Sequence, residues 1–295
     1  MLHVITRHVS GSIAKCELTC IDRAPIDVGR MVEQHEAYVD VFKRAAKLMS
    51  ATDDTLQLVE LPALSEFADS MFVEDVALML ESCAILTRPG AASRQGEVNE
   101  MAPVLVQLMD TLQRPLYRIE EPGTVDGGDV LIIGRDVFVG RSTRTNDEGF
   151  AQLKSFVAKH GYNAHQVFVK GCLHLKCVAS LVTPKTVLIN PKGIERTTFT
   201  ALGYGVLDTA PEEPDSANVL SFALRCSKNG ITEVIRTIVV PSAFPRLAEK
   251  LEKYCQAMTA AAGEGEERLR VEVINVDEVA KAEGALTCCS LLCYA

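Results

Sequence analysis

Three residue types that can carry covalent catalysis occur in short apolar stretches of this chain. The C-terminal segment EGALTCCSLLCYA holds the adjacent thiols Cys288 and Cys289, CLHLKC holds His174, and VDGGDV holds Asp126. A cysteine near a histidine can act as a nucleophile with a general acid and base, and a carboxylate can orient the imidazole. Each residue alone also fits a simpler role, as a small buried thiol, a core histidine or a turn aspartate.

An acidic pair lies in another apolar stretch, FVEDVA, which contains Glu74 and Asp75. Adjacent residues of a strand face opposite sides, so at least one of the two carboxylates is expected to point inward. An unpaired buried charge is costly, which leaves two interpretations open: a buried salt bridge or a site for a cation. The same alternation predicts that only one of Cys288 and Cys289 faces a site shared with His174.

The segments that carry these residues recur as similar units of short strands and one helix. Five landmark residues are separated by 51, 48, 44 and 70 positions: Asp75, Asp126, His174, Asn218 and Cys288. The last interval is longer because TAAAGEGEERLR is predicted to be an exposed loop insertion. Five such units predict a closed α/β array in which the polar strand ends converge on the axis. An open α/β sandwich is the alternative.

Hydrophobic periodicity predicts the elements that position these residues. The predicted helices are DVGRMVEQHEAYVDVFKRAAKLM, GEVNEMAPVLVQLMDTL, NDEGFAQLKSFVAKHG, GIERTTFTALG and PRLAEKLEKYCQAM. The stretches LHVITRHV and TLQLVELP are predicted strands, and the fifth unit is expected to be shared between the two ends of the chain. FVEDVA, CLHLKC and the terminal LTCCS are likewise expected to be strand segments.

Composition narrows the class of protein. A chain of 295 residues that is 47% hydrophobic can bury a sizeable core as one large domain or two ordinary ones. The formal net charge of -9 argues against a nucleic-acid or membrane-surface partner, although a cationic small substrate fits it. No apolar run reaches the length of a membrane span and no secretory signal is visible, so the expected location is the cytoplasm.

The ten cysteines are expected to be reduced thiols rather than a disulfide framework. Cys172, His174 and Cys177 form a C-x-H-x2-C pattern, and Cys16 and Cys20 are close in sequence. Neither group has the paired spacing of a structural zinc site. We therefore expect no metal, and most of these thiols are expected to be small buried apolar residues.

Six short motifs occur in one order over nearly the whole chain: ELP…D..FVEDVA, LTRPGA.SR..EV, DGGDVL, VG.S.RTN..G, LHLK and G.LTCCS. With them the chain resembles the guanidine-modifying penteins, and most closely the dimethylarginine dimethylaminohydrolases. The resemblance implies a single catalytic domain over residues 1–295 with a pseudo-five-fold α/β propeller of ββαβ-type units around a central cavity. It implies no cofactor and no metal.

The resemblance also implies roles for individual residues. Cys288 maps to the nucleophile, His174 to the general acid and base, and Asp126 to the carboxylate that holds the imidazole. The positions that map to substrate contacts are Asp69 and Asp75 for the guanidinium with Glu74 beside them, Arg94 and Arg144 for the α-carboxylate, Leu18 for the α-amine, and the backbone around Ala282. Leu18 lies in an expected substrate lid at about residues 10–26.

The reaction implied is hydrolysis of asymmetric dimethylarginine or monomethylarginine to citrulline plus dimethylamine or methylamine, through a covalent S-alkylthiouronium. The expected partner is this small molecule, and the chain is expected to be a monomer or homodimer. Glu283 stands where the family commonly has aspartate, and the lid has its own composition, so the guanidine substrate is less firmly implied. Alternatives are an arginine deiminase or dihydrolase, an amidinotransferase, and a non-enzymatic propeller such as a ribosome anti-association factor.

Overall fold

The computed structural model describes residues 1–48, 55–228, 231–263 and 266–295. Within these ranges, fifteen strands form five separate sheets of three strands each. The strands are β1 Leu2–Arg7, β2 Leu56–Leu61, β3 Ala77–Met79, β4 Ala84–Leu86, β5 Leu116–Arg118, β6 Val130–Ile133, β7 Asp136–Arg141, β8 Asn163–Phe168, β9 Ala179–Thr183, β10 Thr186–Ile189, β11 Gly205–Asp208, β12 Leu220–Lys228, β13 Ile231–Pro241, β14 Glu267–Ile274 and β15 Leu291–Tyr294.

All five sheets repeat one connectivity. The central strand of each sheet pairs antiparallel with one neighbour and parallel with the other. A helix precedes the parallel partner in every unit, as expected for a crossover connection between parallel strands. The helices are α1 Val28–Leu48, α2 Glu97–Leu112, α3 Asp147–Ala158, α4 Thr197–Thr200, α5 Pro245–Ala261 and, before β15, α6 Asp277–Lys281.

The two ends of the chain complete one sheet, as the sequence predicts. The central strand β1 pairs antiparallel with β15, with Leu2 opposite Tyr294, and parallel with β2, with Leu2 opposite Leu56. A cavity of about 190 Å³ is lined by residues of the five antiparallel partner strands β3, β6, β9, β12 and β15. These inner strands therefore surround a common axis, and the prediction of a closed five-unit array is confirmed.

The landmark residues are not in strands, which corrects the predictions for FVEDVA, CLHLKC and the terminal LTCCS. A short 3₁₀ turn precedes each inner strand: Val73–Val76, Gly127–Asp129, Leu175–Cys177, Pro214–Ala217 and Thr287–Cys289. Asp126 and His174 directly precede their turns. Short apolar runs do not distinguish a strand from the turn that leads into it, which is the reason for the error.

Two other predictions differ in extent. The segment GIERTTFTALG forms only the single helical turn α4, and its β-branched threonines favour a helix less than unbranched residues would. Most of the predicted loop TAAAGEGEERLR is regular structure, because its first three residues end α5 and its last four begin β14. Residues 264–265 of this segment lie outside the described ranges. In the described ranges, every helix is too short or too polar to cross a membrane.

Candidate active site

A second, smaller cavity of about 20 Å³ lies on the other side of the 3₁₀ turns, and we call it the closed cavity because contacts of residues 17–20 narrow it. Seven of the ten residues predicted for the site line it: Asp69, Asp75, Arg94, Arg144, His174, Ala282 and Cys288. The remaining three are Asp126, which lies behind His174, Glu74, which lines the axial cavity, and Leu18, which packs half-buried against the hydrophobic cluster around α1. The fold therefore brings together side chains that are up to 219 residues apart in the sequence.

His174 is held by a fully buried carboxylate. Its Nε2 lies 2.9 Å from Asp126 Oδ2, and Asp126 Oδ1 accepts a hydrogen bond from the Gly90 backbone N–H at 2.8 Å. Burial by itself favours the neutral imidazole, but the hydrogen bond to Asp126 and the nearby carboxylates of Asp75 and Asp129 outweigh it and raise the pKa of His174 to about 10. At neutral pH the ring therefore carries the proton that a general acid donates.

The two glycines between Asp126 and Asp129 let the Glu74 backbone and the His174 ring lie close to this turn. A Cβ on Gly127 would lie 1.9 Å from the Glu74 carbonyl oxygen, and one on Gly128 would lie 2.6 Å from His174 Nδ1. Any side chain at these positions would displace the turn or the imidazole. The second carboxylate of the turn, Asp129, accepts from the Leu175 backbone N–H at 3.0 Å, so it fixes the segment that carries His174.

The two adjacent thiols lie in different environments. Cys288 lines the cavity, whereas Cys289 is buried in the hydrophobic cluster and donates a hydrogen bond to the Ala285 carbonyl oxygen at 3.5 Å. Burial, and then the charges of Glu74 and Asp75, raise the pKa of Cys288 well above its ordinary value. Without a cation in the cavity, Cys288 is therefore a protonated thiol and a poor nucleophile.

Asp75 and Arg94 form a buried ion pair on the cavity wall. Arg94 Nη1 donates to Asp75 Oδ2 at 2.5 Å and Arg94 Nη2 donates to Glu97 Oε2 at 2.8 Å. Burial alone would raise the pKa of Asp75, but Arg94 and then His174 lower it below its ordinary value, so the carboxylate is ionised. Arg94 thus has two acidic partners already, a setting that differs from the free guanidinium expected for a substrate carboxylate.

Glu74 faces away from the closed cavity. Its Oε1 accepts from Lys176 Nζ at 2.6 Å and its Oε2 accepts from Thr287 Oγ1 at 2.8 Å, and all three residues line the axial cavity. The Asn218 amide nitrogen donates to Thr287 Oγ1 at 3.0 Å. This group of four residues, which we call the polar floor, separates the closed cavity from the axial one. The interpretation of the acidic pair as a buried salt bridge fits both residues, since Glu74 pairs with Lys176 and Asp75 pairs with Arg94; only Asp75 also lines the closed cavity.

Residues 16–20 of the expected lid cover the cavity through contacts with its charged side chains. Glu283 accepts from the backbone N–H groups of Thr19 and Cys20, both at 2.7 Å, and its left-handed backbone (φ 58°) aims the carboxylate at them. Asp69 accepts from the Glu17 N–H at 3.0 Å, and Arg144 Nη2 donates to Thr19 Oγ1 at 2.7 Å. The enclosed space holds roughly one water molecule. An arginine-sized molecule is larger than this space, so we predict that residues 16–20 must move before it enters.

Comparison with known proteins identifies the family of this chain. No protein-family model matches the chain. It is 30% identical to the N(G),N(G)-dimethylarginine dimethylaminohydrolase of Pseudomonas aeruginosa over 98% of both chains. The chain belongs to the dimethylarginine dimethylaminohydrolase family. It is also 29% identical to the protein of the same name from Streptomyces coelicolor, over 97% of this chain and 95% of the relative.

Solved structures agree with the family assignment. The dimethylarginine dimethylaminohydrolase of P. aeruginosa, as a cysteine-to-serine mutant complexed with citrulline, superposes with a TM-score of 0.78 at 27% identity and covers 98% of both chains. The N-terminal domain of ArgZ, an arginine dihydrolase from cyanobacteria, has a TM-score of 0.71 at 14% identity, which shows the fold alone. The predicted family resemblance and the pentein fold of the dimethylarginine dimethylaminohydrolases are confirmed.

Sequence reasoning missed five residues that line the cavity of this dimethylarginine dimethylaminohydrolase relative: Glu17, Phe72, Leu173, Glu283 and Gly284. Phe72, Leu173 and Gly284 lie inside motifs that were identified, so apolar and glycine positions within those motifs were the available signal. Gly284 is required where it stands, because a Cβ there would lie 2.4 Å from the Phe72 ring.

One group in the site has the composition of a metal site. Among the described residues, Asp75, Asp126 and His174 are the one set of three ligand-type side chains whose nearest atoms all lie within 4.8 Å of one another. The contacts already present account for their charges, because Arg94 pairs with Asp75 and His174 pairs with Asp126. The dimethylarginine dimethylaminohydrolase fold therefore satisfies this cluster with side chains of its own.

Proposed function

We propose that this protein hydrolyses Nω-methylated arginines, converting asymmetric dimethylarginine or monomethylarginine to citrulline plus dimethylamine or methylamine. The observation that carries the proposal is one closed cavity lined by the thiol of Cys288, the imidazole of His174 and the carboxylate of Asp75. The two bacterial relatives named dimethylarginine dimethylaminohydrolase, which match the chain over nearly its whole length, support the same reaction.

The substrate guanidinium would be held by carboxylates. Asp75 and Asp69 line the cavity, and carboxylate oxygens match the planar N–H donors of a guanidinium. Arg144 is the better of the two predicted α-carboxylate ligands. Arg94 is held by Asp75 at 2.5 Å and by Glu97 at 2.8 Å, whereas Arg144 Nη1 lies 3.7 Å from Asp126 Oδ2 and its Nη2 contacts Thr19 on the lid. Backbone groups around Leu18 and Ala282 would take the α-amine.

The first half-reaction forms a bond between sulfur and carbon. A bound guanidinium places a positive charge beside Cys288, which favours the thiolate, and the thiol proton leaves to water. The thiolate attacks the guanidinium carbon and gives a tetrahedral adduct. His174 then donates its proton to the substituted nitrogen, the C–N bond breaks, and the methylated amine departs. The remaining species is an S-alkylthiouronium on Cys288.

The second half-reaction releases citrulline. Neutral His174, still hydrogen-bonded to Asp126, takes a proton from a water molecule as that water attacks the thiouronium carbon. The C–S bond breaks, the Cys288 sulfur leaves as a thiol with the remaining hydroxyl proton, and the oxygen from water becomes the ureido oxygen. Nucleophile, acid and base are all side chains of this chain, so the scheme routes no step through a cofactor or metal.

The experiment is a citrulline-release assay with asymmetric dimethylarginine, monomethylarginine and arginine. We expect higher kcat/KM for the two methylated substrates than for arginine, and no turnover by Cys288→Ser. Cys289→Ser is the matched control and should retain most activity, because that thiol lies in the hydrophobic cluster. Preferential turnover of arginine would favour the deiminase or dihydrolase, and amidino transfer to an added amine would favour the amidinotransferase. A pure binding protein would turn over none of them.

The proposal also includes the domain organisation, location and oligomeric state of the enzyme. We infer one catalytic domain over residues 1–295 with its lid at about 10–26, acting in the cytoplasm as a monomer or homodimer on a small-molecule substrate. The net charge of -9 supports the absence of a nucleic-acid partner. Size-exclusion chromatography coupled to light scattering would distinguish the two oligomeric states.

A further inference from the structure

Two thiols that the proposed reaction does not use lie on either side of His174. The Cys172 Sγ donates to the His174 carbonyl oxygen at 3.3 Å, and the Cys177 backbone N–H donates to the same oxygen at 3.1 Å. Both contacts meet on one oxygen, so the Cys172 sulfur lies close to the backbone of Cys177. The backbone between the two cysteines therefore folds into a tight loop around the His174 carbonyl, which brings the two ends of the loop near each other.

The two thiols differ in reactivity. Both are half-buried, so neither is sealed in the core. The neighbouring Cys177 thiol lowers the pKa of Cys172, although burial opposes it. Among the nine cysteines whose side chains the structure describes, Cys172 is the one with a lowered pKa, while burial and two carboxylates raise that of Cys288. An oxidant at neutral pH therefore meets a more reactive thiol at Cys172 than at the nucleophile.

We propose that Cys172 and Cys177 are a redox modification site, where a hydroperoxide forms a reversible disulfide that closes the loop around His174. The Cys172 thiolate attacks one peroxide oxygen, the O–O bond breaks, and water or an alcohol leaves after taking up a proton, which gives a sulfenic acid. The Cys177 sulfur then attacks the Cys172 sulfur, water leaves, and the S–S bond forms. Two thiols are oxidised and one peroxide is reduced.

The disulfide would act on catalysis through the position of His174. It removes the Cys172 S–H that donates to the His174 carbonyl, and the S–S bond constrains the loop whose backbone carries His174. The closed loop also contains Leu175 and Lys176, which hold Asp129 and the Glu74 carboxylate. This consequence rests on the proposed function, whereas formation of the disulfide does not.

A third thiol defines the competing outcome. Cys20 is exposed on the lid, and Cys20 and Cys177 are near enough for their charges to interact. Its thiol pKa is raised by burial and by Glu283, so it is a weaker attacking group than Cys172. Oxidation that joined Cys20 to Cys177 would fasten the lid rather than displace His174, and it would overturn the assignment of the pair.

The test is oxidation of the full reduced chain with graded hydrogen peroxide, followed by blocking of free thiols and non-reducing peptide mass spectrometry. We expect a Cys172–Cys177 disulfide as the first modification, before any oxidation of Cys288. A Cys20–Cys177 link, or sulfinic acid on Cys288 appearing first, would overturn the proposal. This readout is independent of turnover, so it still decides the question if the protein has another substrate.

Activity supplies the second readout. Citrulline release from the oxidised protein should fall by about tenfold or more and return with dithiothreitol, because a displaced general acid and base forfeits part of a ~10²–10⁴-fold contribution. Cys172→Ser and Cys177→Ser should keep the basal activity of the reduced protein and lose the reversible inactivation. Cys255→Ser, a buried thiol on α5, is the matched control and should inactivate as the parent does. Equal reversible inactivation in all three variants would contradict the role of the pair.

Discussion

The closed cavity and the axial cavity lie on opposite sides of the same 3₁₀ turns and treat neighbouring residues differently. Asp75 and Cys288 line the closed cavity, while their neighbours Glu74 and Thr287 line the axial one. On the axial side the carboxylate of Glu74 has a lysine and a hydroxyl as partners. On the other side Asp75 lies close to an arginine and a histidine and beside a thiol. The turns Val73–Val76 and Thr287–Cys289 thus contribute to a structural salt bridge on one side and to the candidate active site on the other.

The axial and closed cavities differ in what surrounds their buried carboxylates. Lys176 neutralises Glu74 through a direct ion pair, so that the polar floor needs nothing from outside. In the closed cavity Asp75 is likewise paired with Arg94, while Asp69 accepts from the Glu17 backbone N–H, and both carboxylates line the space that the proposed cationic substrate would occupy. Residues of the floor should therefore matter for stability, and residues of the closed cavity should matter for catalysis.

The largest effect is expected at Cys288. Cys288→Ser should reduce kcat by at least ~10³-fold, because a serine hydroxyl without a lowered pKa is a far poorer nucleophile. Thr287→Ser, its neighbour on the axial side, keeps the hydroxyl that donates to Glu74 and should stay near parental activity. Acid quench during turnover and peptide mass spectrometry should find the thiouronium on Cys288. Adduct on Cys289 would show that the nucleophile is misassigned.

Asp126→Asn comes next, since it removes the carboxylate that holds the imidazole. We expect kcat to fall by ~10²–10⁴-fold and the pKa of His174, read by NMR, to fall from about 10. Because the folded pKa is above the unfolded value of about 6.5, His174 contributes stability below pH 6.5 that is lost as pH rises through about 10. The stability difference between parent and variant should therefore be larger at pH 6 than at pH 10.5. A pH-independent difference would contradict the ion pair.

Lys176→Met tests the axial side. It leaves Glu74 buried without its cation, and breaking one partner of a buried pair costs about 3–5 kcal/mol of unfolding free energy in urea titrations. The double variant Glu74→Gln, Lys176→Met removes both charges and should recover much of that loss. If Lys176→Met abolished kcat and left stability unchanged, the polar floor would have a catalytic role, and the contrast between the two cavities would be wrong.

The smallest effect is expected for Arg144→Ala, measured as KM. Loss of a charge-assisted hydrogen bond to the substrate α-carboxylate should raise KM by roughly 10–100-fold with a lesser change in kcat. A substrate analogue without that carboxylate should show no difference between variant and parent. If the analogue were turned over by the parent as well as the amino acid, Arg144 would have no role in recognising the carboxylate.

Much of the site could be predicted because its motifs are local. The segment VDGGDV contains both the carboxylate that holds His174 and the glycines that let the imidazole approach, within four residues. The prediction that Cys288 and Cys289 have different surroundings also agrees with the structure, although the reason given was wrong: they lie on a 3₁₀ turn and not on a strand. Local spacing identified the residues but not the backbone that presents them.

Local spacing in the sequence could not predict side-chain contacts between distant segments. The contacts of Arg94 with Asp75, of Lys176 with Glu74 and of Glu283 with the lid join segments between 19 and 264 residues apart. Which of several acidic residues a cation meets depends on how the five units close, because charges interact through space and not along the chain. A motif therefore identified Arg94 as a site residue but did not reveal that its guanidinium is shared between two buried carboxylates.

By itself the sequence determined the five-unit α/β class, the family and the identity of most cavity residues, because periodicity and short motifs are properties of adjacent positions. Only the tertiary structure decided which side of each turn a residue faces. Closure of the ring places Glu74 against Lys176 and Asp75 against Arg94, although the two acids are neighbours. Burial then fixes their chemistry, since an ion removed from water depends on the partner that the fold supplies.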